Sequence, residues 1–382
     1  MKILILSWRD IKHPYGGGAE LLSHEMAKRW ADCGHEVTHF SASFPGAKSS
    51  EVIDGITYLR AGGWYNVHIK AFLRIITGRF DGFDVIVDEV HGIPFFSKLY
   101  SKTPVICLAC EVAKEIWDQM YPFPLNIIGK MMEKIYLFLY RDVKFLTISD
   151  STKGDLVANG IKSKNITILP MGFTYSLPDK LPSKNKTPTL IFLGRLAKSK
   201  GVPDAIKAFS FIQKKFPKAR LLVVGRGVLE YESFLHEMVK KLGLEKQILF
   251  KGFVGEEEKF NLLSQSHLIL VPSVREGWGL IVPEANLVGT PAIVYNVPGL
   301  RDVTKNNRNG VVVKAGSPKS LADAAIKLLS ADKEYQQLSK SSQAYAKSLS
   351  WDDTAKAGFD VLEVEANHSV LTDIPEKVEV GK

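Results

Sequence analysis

Apolar residues fall in short unbroken blocks separated by stretches of helical spacing. Lys2–Ser7 reads as a buried strand, and a loop follows through Gly16-Gly17-Gly18. From Ala19 to Asp32 the spacing turns helical, with Leu22, Met26 and Trp30 on one face. Gly34 stops that helix, and Glu36–Phe40 reads as the next strand. Further strands are expected at 84–87, 105–109, 144–148 and 166–169, and helices at 69–77, 125–140 and 151–158. Alternating strands and helices of this kind imply a parallel sheet covered by helices on both faces.

The texture changes at Gly172, where Pro178, Pro182 and Pro188 punctuate a polar stretch that reads as a linker. The alternation then restarts. Strands are expected at 190–193, 220–224, 248–250, 268–271 and 292–295. Helices are expected at 203–216, 229–242, 256–265, 318–329 and 333–349. The predicted organisation is an N-terminal Rossmann-like domain over residues 1–172, a linker over 173–188 and a second Rossmann-like domain over 189–350. A helix over 351–366 packs back on the first domain, and a loosely ordered tail covers 367–382. In doubly wound sheets, ligands bind beyond the carboxyl ends of the strands, so a cleft lined by both halves is the expected site.

At 382 residues, the chain is long enough for two such cores. Its 45% hydrophobic and 24% charged residues are in globular balance. No apolar stretch is long and uncharged enough to span a bilayer, and the first strand is too short for a signal-peptide core, so a cytoplasmic setting is expected. Three cysteines, Cys33, Cys107 and Cys110, argue against a disulfide scaffold. Cys107 and Cys110 lie in one strand-like run, where positions three apart point to opposite faces, so a redox or metal-binding pair is not expected. The net charge of +9 is uneven: residues 1–175 contribute +2 and residues 176–382 contribute +7. That suits an anionic ligand held by the second half, or an acidic membrane surface. Alternating basic and aromatic tracts are lacking, and nucleic acid is not an expected partner.

Three motifs carry candidate chemistry. Gly16-Gly17-Gly18-Ala19-Glu20 joins the first strand to the first helix, where glycines let backbone amides approach a phosphate; a flexible turn reads the same way. Gly194-Arg195-Leu196-Ala197-Lys198-Ser199-Lys200-Gly201 opens the second domain at a strand end. Its Arg195 fork and Lys200 point charge suit a diphosphate. The segment Pro272–Ala285 places Glu276 and Glu284 on either side of Gly277-Trp278-Gly279 and a helix start. One carboxylate there can hold sugar hydroxyls and the other a ribose, while amides near Leu280 and Ile281 meet phosphates.

At these residues the chain resembles the retaining glycosyltransferases of family GT4, which have the GT-B fold of two Rossmann-like domains facing across a cleft. Glu276-x7-Glu284 with its internal Gly-Trp-Gly-Leu is similar to that family's signature. Gly194-Arg195-Leu196 with Lys200-Gly201 is similar to its phosphate-binding segment. Gly17-Gly18-Ala19-Glu20 with Gly34-His35-Glu36-Val37 is similar to its N-terminal pattern. Ser149–Lys153 and Pro170-Met171-Gly172 are further landmarks. The resemblance implies a UDP- or GDP-sugar as substrate, with no cofactor and no metal. It implies that Arg195, Lys200 and the Gly17–Gly18 backbone bind the donor diphosphate, with the backbone at Gly279, Leu280 and Ile281. Glu276 contacts the sugar, Glu284 the ribose, and the backbone at Phe253 and Val254 the base. One position departs: by spacing from Pro104, Cys110 fills the slot of a family histidine that supports the donor sugar. A thiol replaces an imidazole poorly as a hydrogen-bonding group. His91, at a neighbouring strand end, is the candidate to compensate.

The expected activity is transfer of a hexose-type sugar, with retention, to a glycan or lipid-linked acceptor in cell-envelope or exopolysaccharide synthesis. Two rivals share the fold: a nucleotide-sugar epimerase or hydrolase, and a non-catalytic nucleotide-sugar-binding subunit, the latter motivated by Cys110. The segment Trp117–Arg141 is rich in large apolar side chains, with Lys130, Lys134 and Arg141 interspersed, and His68–Arg74 is of similar character. Apolar residues nearly all round the 127–140 helix fit a buried core helix. The basic residues fit peripheral contact with an anionic membrane.

Overall fold

A computed structural model describes residues 1–372 except Glu115, Thr174 and Ser176, with the backbone alone for Gln119, Met120 and residues 368–372. Two compact units emerge: Met1–Gly172 with Ser350–Lys382, and Phe173–Leu349. The last helix runs Trp351–Thr372. It therefore takes in the start of the segment expected as a loose tail, and residues 373–382 of that tail lie outside the described residues. This helix packs on the first unit: Trp30 Nε1 donates to Ala355 O at 2.9 Å, and the His35 and Phe359 rings stack at 4.5 Å.

The first unit has eight strands: β1 Lys2–Leu6, β2 Glu36–Ser41, β3 Ser50–Ile53, β4 Ile56–Arg60, β5 Val85–Glu89, β6 Val105–Leu108, β7 Lys144–Thr147 and β8 Ile166–Ile168. Their order is β3-β4-β2-β1-β5-β6-β7-β8, parallel except for the β3–β4 hairpin. That hairpin, not expected from the apolar pattern, turns on Asp54 and Gly55, both at positive φ (49° and 78°). An Asp-Gly pair supplies that backbone readily. Arg60 at the end of β4 is buried and pairs with the buried Asp10 at 2.5 Å and with Glu51 at 2.5 Å.

The second unit has six parallel strands: β9 Thr189–Leu193, β10 Arg220–Val224, β11 Ile248–Gly252, β12 Leu268–Val271, β13 Ala292–Tyr295 and β14 Gly310–Val313. They are ordered β11-β10-β9-β12-β13-β14. The central strands are fully buried blocks such as Leu-Ile-Leu-Val in β12, as expected of a sheet covered on both faces. The end of the proline-rich segment is fastened to this unit. Lys184 Nζ donates to Ser266 O and Thr290 Oγ1, each at 2.6 Å, and Asn185 N donates to Gln265 O at 3.0 Å. Burial among these neutral acceptors pulls the Lys184 amine down to about 7.

Both sheets reverse their winding direction beside their first strand. In the first unit the chain winds outward from β1 through β2 and returns at β5. In the second it winds outward from β9 through β10 and returns at β12. Loops leaving the two strands at such a point splay apart and leave a crevice.

Candidate functional site

In the second unit the two loops at the reversal point are those that carry the charged motifs. The loop after β9 passes through the short helical turn Lys198–Lys200 to Gly201. Gly201 has φ +70°, and a Cβ there would strike the carbonyl oxygen of Pro272. Only glycine lets this loop lie against the loop after β12. Val274 N donates to Ser199 O at 2.8 Å and closes the contact. The result brings together residues 76 apart in sequence: Lys200 Nζ lies 2.6 Å from Glu276 Oε1, which also accepts from Ser273 Oγ at 2.8 Å. Both side chains of the ion pair are partly exposed. Arg195, in the same loop as Lys200, is exposed, and among the described residues it has no ion-pair partner.

Glu276 is further fixed from the other side. Gly299, at φ +79°, presses against the Glu276 carbonyl, where a Cβ would collide. The helix Ile281–Leu287 follows Gly279 and Leu280. Its first bonds run from Val282 N to Gly279 O (2.9 Å) and from Glu284 N to Leu280 O (3.2 Å). The amides of Leu280 and Ile281 are thus left without a backbone acceptor among the described residues. Glu284, one turn into the helix, pairs with Lys259 at 3.1 Å. Burial pushes its carboxyl up, and Lys259 opposes the shift. Lys259, from helix Glu256–Gln265, is a site residue that the motifs did not reveal. A basic residue three positions after Glu256 on an otherwise acidic helix face was its only signal in the sequence. At the end of β11, Phe253 is exposed (72%) and Val254 half-buried.

The first unit has its own cluster at its reversal point. Gly17 N, expected to face a donor phosphate, donates instead to Glu20 Oε2 at 2.7 Å. Glu20 is buried and pairs through Oε1 with Arg9 at 2.6 Å. A side-chain carboxylate thus takes the amide at the helix start. Gly18 is the first residue of that helix. Glu89, the last residue of β5, is buried and accepts from Ser23 Oγ at 2.5 Å; burial pushes its carboxyl up to about 7. Cys110 lies just beyond β6, with its carbonyl held by Thr152 Oγ1 at 3.0 Å. Burial first, and then the acids Glu89, Glu111 and Glu20, hold its thiol well above the usual range. Cys107 and Cys110 are both free thiols. The His91 ring lies 6.5 Å from Trp8.

The helix Leu125–Leu139 is not the buried core helix that its composition suggests. Its buried residues are Gly129, Glu133, Tyr136 and Leu137. Glu133 accepts from Ala113 N, Lys114 N and Trp117 Nε1 at 2.9, 3.1 and 3.2 Å. The large apolar side chains point outward: Met131 is 59% and Phe138 60% exposed, and Ile127, Ile128 and Ile135 are exposed too. Helix Val67–Ile76 exposes Ile69, Leu73 and Ile76 in the same way. Both helices cover one face of the sheet. Val67 and Ala71 pack with Ile86 and Val105, and Tyr136 and Leu137 pack with Cys107. Val105 and Cys107, two apart on β6, share that face.

Two doubly wound parallel-sheet units, with a cationic and carboxylate-bearing loop pair at the strand ends of the second, define the GT-B class of α/β protein. The chain belongs to the glycosyltransferases: residues 16–176 match the model of Glycosyltransferase Family 4, and residues 176–345 that of Glycosyl transferases group 1. It is 27% identical over 245 residues to an uncharacterised glycosyltransferase of Methanocaldococcus jannaschii, covering 60% of this chain and 62% of that protein. It is 28% identical over 214 residues to the capsular polysaccharide biosynthesis glycosyltransferase CapM of Staphylococcus aureus, covering 52% and 55%. The matched part is thus less than two thirds of each relative. Sucrose-phosphate synthase from Thermosynechococcus elongatus shares the fold with a TM-score of 0.77 at 18% identity, over 95% of this chain and 98% of that one. Anabaena HepE in complex with UDP and glucose shares it at 0.69 and 16%, over 95% and 100%.

Proposed function

We propose that the chain transfers a hexose-type sugar, with retention at the anomeric carbon, from a UDP- or GDP-sugar to a glycan or lipid-linked acceptor. The observation that carries this reading is the Lys200–Glu276 pair at 2.6 Å, at the winding reversal of the second sheet. One loop pair there offers cations for a diphosphate and a carboxylate for sugar hydroxyls. Arg195 and Lys200 take the diphosphate, with backbone amides at Gly279, Leu280 and Ile281. Glu276 takes the sugar, Glu284 the ribose, and the segment Phe253–Val254 the base. The acceptor oxygen bonds to the anomeric carbon on the face that the diphosphate leaves. The diphosphate departs with the electron pair, and the acceptor's hydroxyl proton is released. Stabilising that departing charge is the main task of Arg195 and Lys200, and no resident cofactor or metal is invoked. CapM's name supports a place in polysaccharide synthesis, and the UDP and glucose bound by HepE support a nucleotide-sugar donor.

The exposed apolar faces of helices Leu125–Leu139 and Val67–Ile76, with Lys70, Lys134 and Arg141 exposed among them, support peripheral contact with an anionic membrane. Among the described residues no helix is long and apolar enough to cross one.

The test is product analysis with a panel of UDP- and GDP-sugars and envelope-type acceptors. A new glycosidic linkage is the expected product. An isomerised nucleotide sugar, hydrolysis alone, or ligand binding without turnover would each replace the transferase reading with one of its rivals.

A further inference from the structure

Beyond Arg195 and Lys200, the strand ends of the second unit carry a further cation, Arg226, in the loop after β10. It is exposed, and among the described residues it has no ion-pair partner. Its backbone is fixed from both sides. Leu196 N donates to Arg226 O at 2.8 Å, and Leu196 pairs with Gly227 in an isolated parallel bridge. Gly225 N donates to Gly252 O at 2.8 Å, and Gly227 N to Glu232 Oε1 at 2.6 Å. A Cβ on Gly225 would strike the carbonyl oxygen of Gly194, and one on Gly227 that of Leu196. The two glycines that flank Arg226 thus let the loop tips lie in contact, and its long side chain starts from a held point.

β10 lies between β9, whose loop carries Arg195 and Lys200, and β11. The Arg226 side chain is on the β11 side: its Nε lies 4.0 Å from where a Cβ on Gly252 would stand. Gly252 is the last residue of β11. Phe253 follows it, with 72% of its surface exposed. The guanidinium and the phenyl ring therefore belong to neighbouring strand ends, with the Arg195–Lys200 loop on the other side of β10.

A guanidinium offers two parallel N–H groups and matches two acceptors set side by side. A phosphate has such a pair, but the cations for a diphosphate stand on the β9 loop. An exposed ring next to the fork favours a flat partner instead, one that stacks on the ring and turns its edge to the fork. A nucleobase is such a partner, and the bases differ at that edge. Guanine presents two neighbouring acceptors, O6 and N7. Adenine presents N7 beside an amino group that donates, and uracil presents O4 beside a C–H. The fork matches guanine at both prongs and the others at one.

We propose that Arg226 is the residue that selects the base of the donor, and that the donor is a guanine nucleotide whose O6 and N7 accept from its guanidinium while the purine lies on Phe253. This rests on the reading of the second unit as a nucleotide-sugar site, and it narrows the donor from a UDP- or GDP-sugar to a GDP-sugar. Arg226 acts on the choice of base and not on the departing diphosphate, which Arg195 and Lys200 hold.

The test is calorimetric titration of the full chain with five nucleoside diphosphates. GDP and inosine diphosphate carry both acceptors, 7-deaza-GDP lacks N7, ADP has an amino group in place of O6, and UDP has the pyrimidine edge. GDP and inosine diphosphate should bind about tenfold or more tightly than ADP and UDP, with 7-deaza-GDP weaker than GDP by about threefold or more. Arg226→Ala, a change at an exposed side chain, should lower GDP affinity by about tenfold and UDP affinity by less than about twofold. Arg226→Lys, which keeps the charge and loses the fork, should lose most of the preference as well. A wild-type preference for UDP, GDP affinity unchanged in Arg226→Ala, or an equal loss for GDP and UDP in that variant would each overturn the proposal, the last by making Arg226 a phosphate contact. All three leave nucleotide binding, and so the donor site, in place. Absence of binding by all five nucleotides would instead sink the donor-site reading, and this proposal with it.

Discussion

Glu276 and Lys200 were legible in the sequence because each sits in a loop whose glycines announce a strand end. Their mutual contact was not legible, because it depends on Gly201 lying against Pro272 and so on the placement of β12 beside β9. Lys259 and Glu89 were missed for a related reason. Each acquires its meaning from partners that only the fold supplies, Glu284 for one and Ser23 for the other. Lys200→Ala and Arg195→Ala should each lower kcat/KM by roughly two to three orders of magnitude, or about 2–4 kcal/mol of transition-state stabilisation, with the fold intact by circular dichroism. Near-normal turnover in both would remove them from the donor site. Glu89 carries a pH signature. Its folded carboxyl lies at about 7, above the ordinary value of 4.5, so the folded state holds the proton more tightly than the unfolded chain. The stability this contributes is complete below the unfolded value and is lost as pH rises towards 7. Glu89→Gln, which carries no charge at any pH, should therefore raise the melting temperature at pH 8 and have little effect at pH 4.5. The difference should be up to about 3 kcal/mol. Equal shifts at both pH values in a thermal scan would contradict this.

Most elements could be read from period alone, because strands buried on both faces appear as unbroken apolar blocks, as β1, β10 and β12 do. β3–β4 and β14 escaped. The first is an edge hairpin whose outer strand β3 is half exposed and has a weak apolar pattern, although its Asp54-Gly55 turn was a usable signal. The second is a four-residue edge strand following Asn309. Helix Leu125–Leu139 misled in a more instructive way. Apolar residues nearly all round suggested burial, yet the helix buries a carboxylate. Glu133 turns inward to accept from the Ala113 and Lys114 amides and the Trp117 indole, and the isoleucines and methionines turn outward. Composition cannot distinguish a core helix from one whose apolar face meets another phase. Co-sedimentation with liposomes of graded anionic-lipid content should show binding that rises with anionic lipid and falls with salt. A double variant, Met131→Glu with Ile135→Glu, should reduce it at least fivefold. Absence of wild-type sedimentation at low salt would leave the helix without that role.

Across the molecule, two units of one architecture carry different chemistry at equivalent places. In each, the first strand and the strand that returns beside it send their loops to the same crevice. The first unit's loops carry acids and aromatic rings; the second unit's carry Arg195, Lys200 and Glu276. The charge difference between the halves, +2 against +7, runs the same way and is legible in the sequence alone. We propose that the second unit holds a nucleoside diphosphate through these residues. Calorimetric titration of the full chain with UDP and GDP, repeated on Lys200→Ala, Glu284→Gln and Glu276→Gln, tests it most directly. The predicted result is one-to-one binding of one of the two nucleotides, weakened at least tenfold by Lys200→Ala and by Glu284→Gln, and little changed by Glu276→Gln, whose partner is the sugar. Absence of binding by either nucleotide at millimolar concentration, or wild-type affinity in both the Lys200 and Glu284 variants, would contradict it.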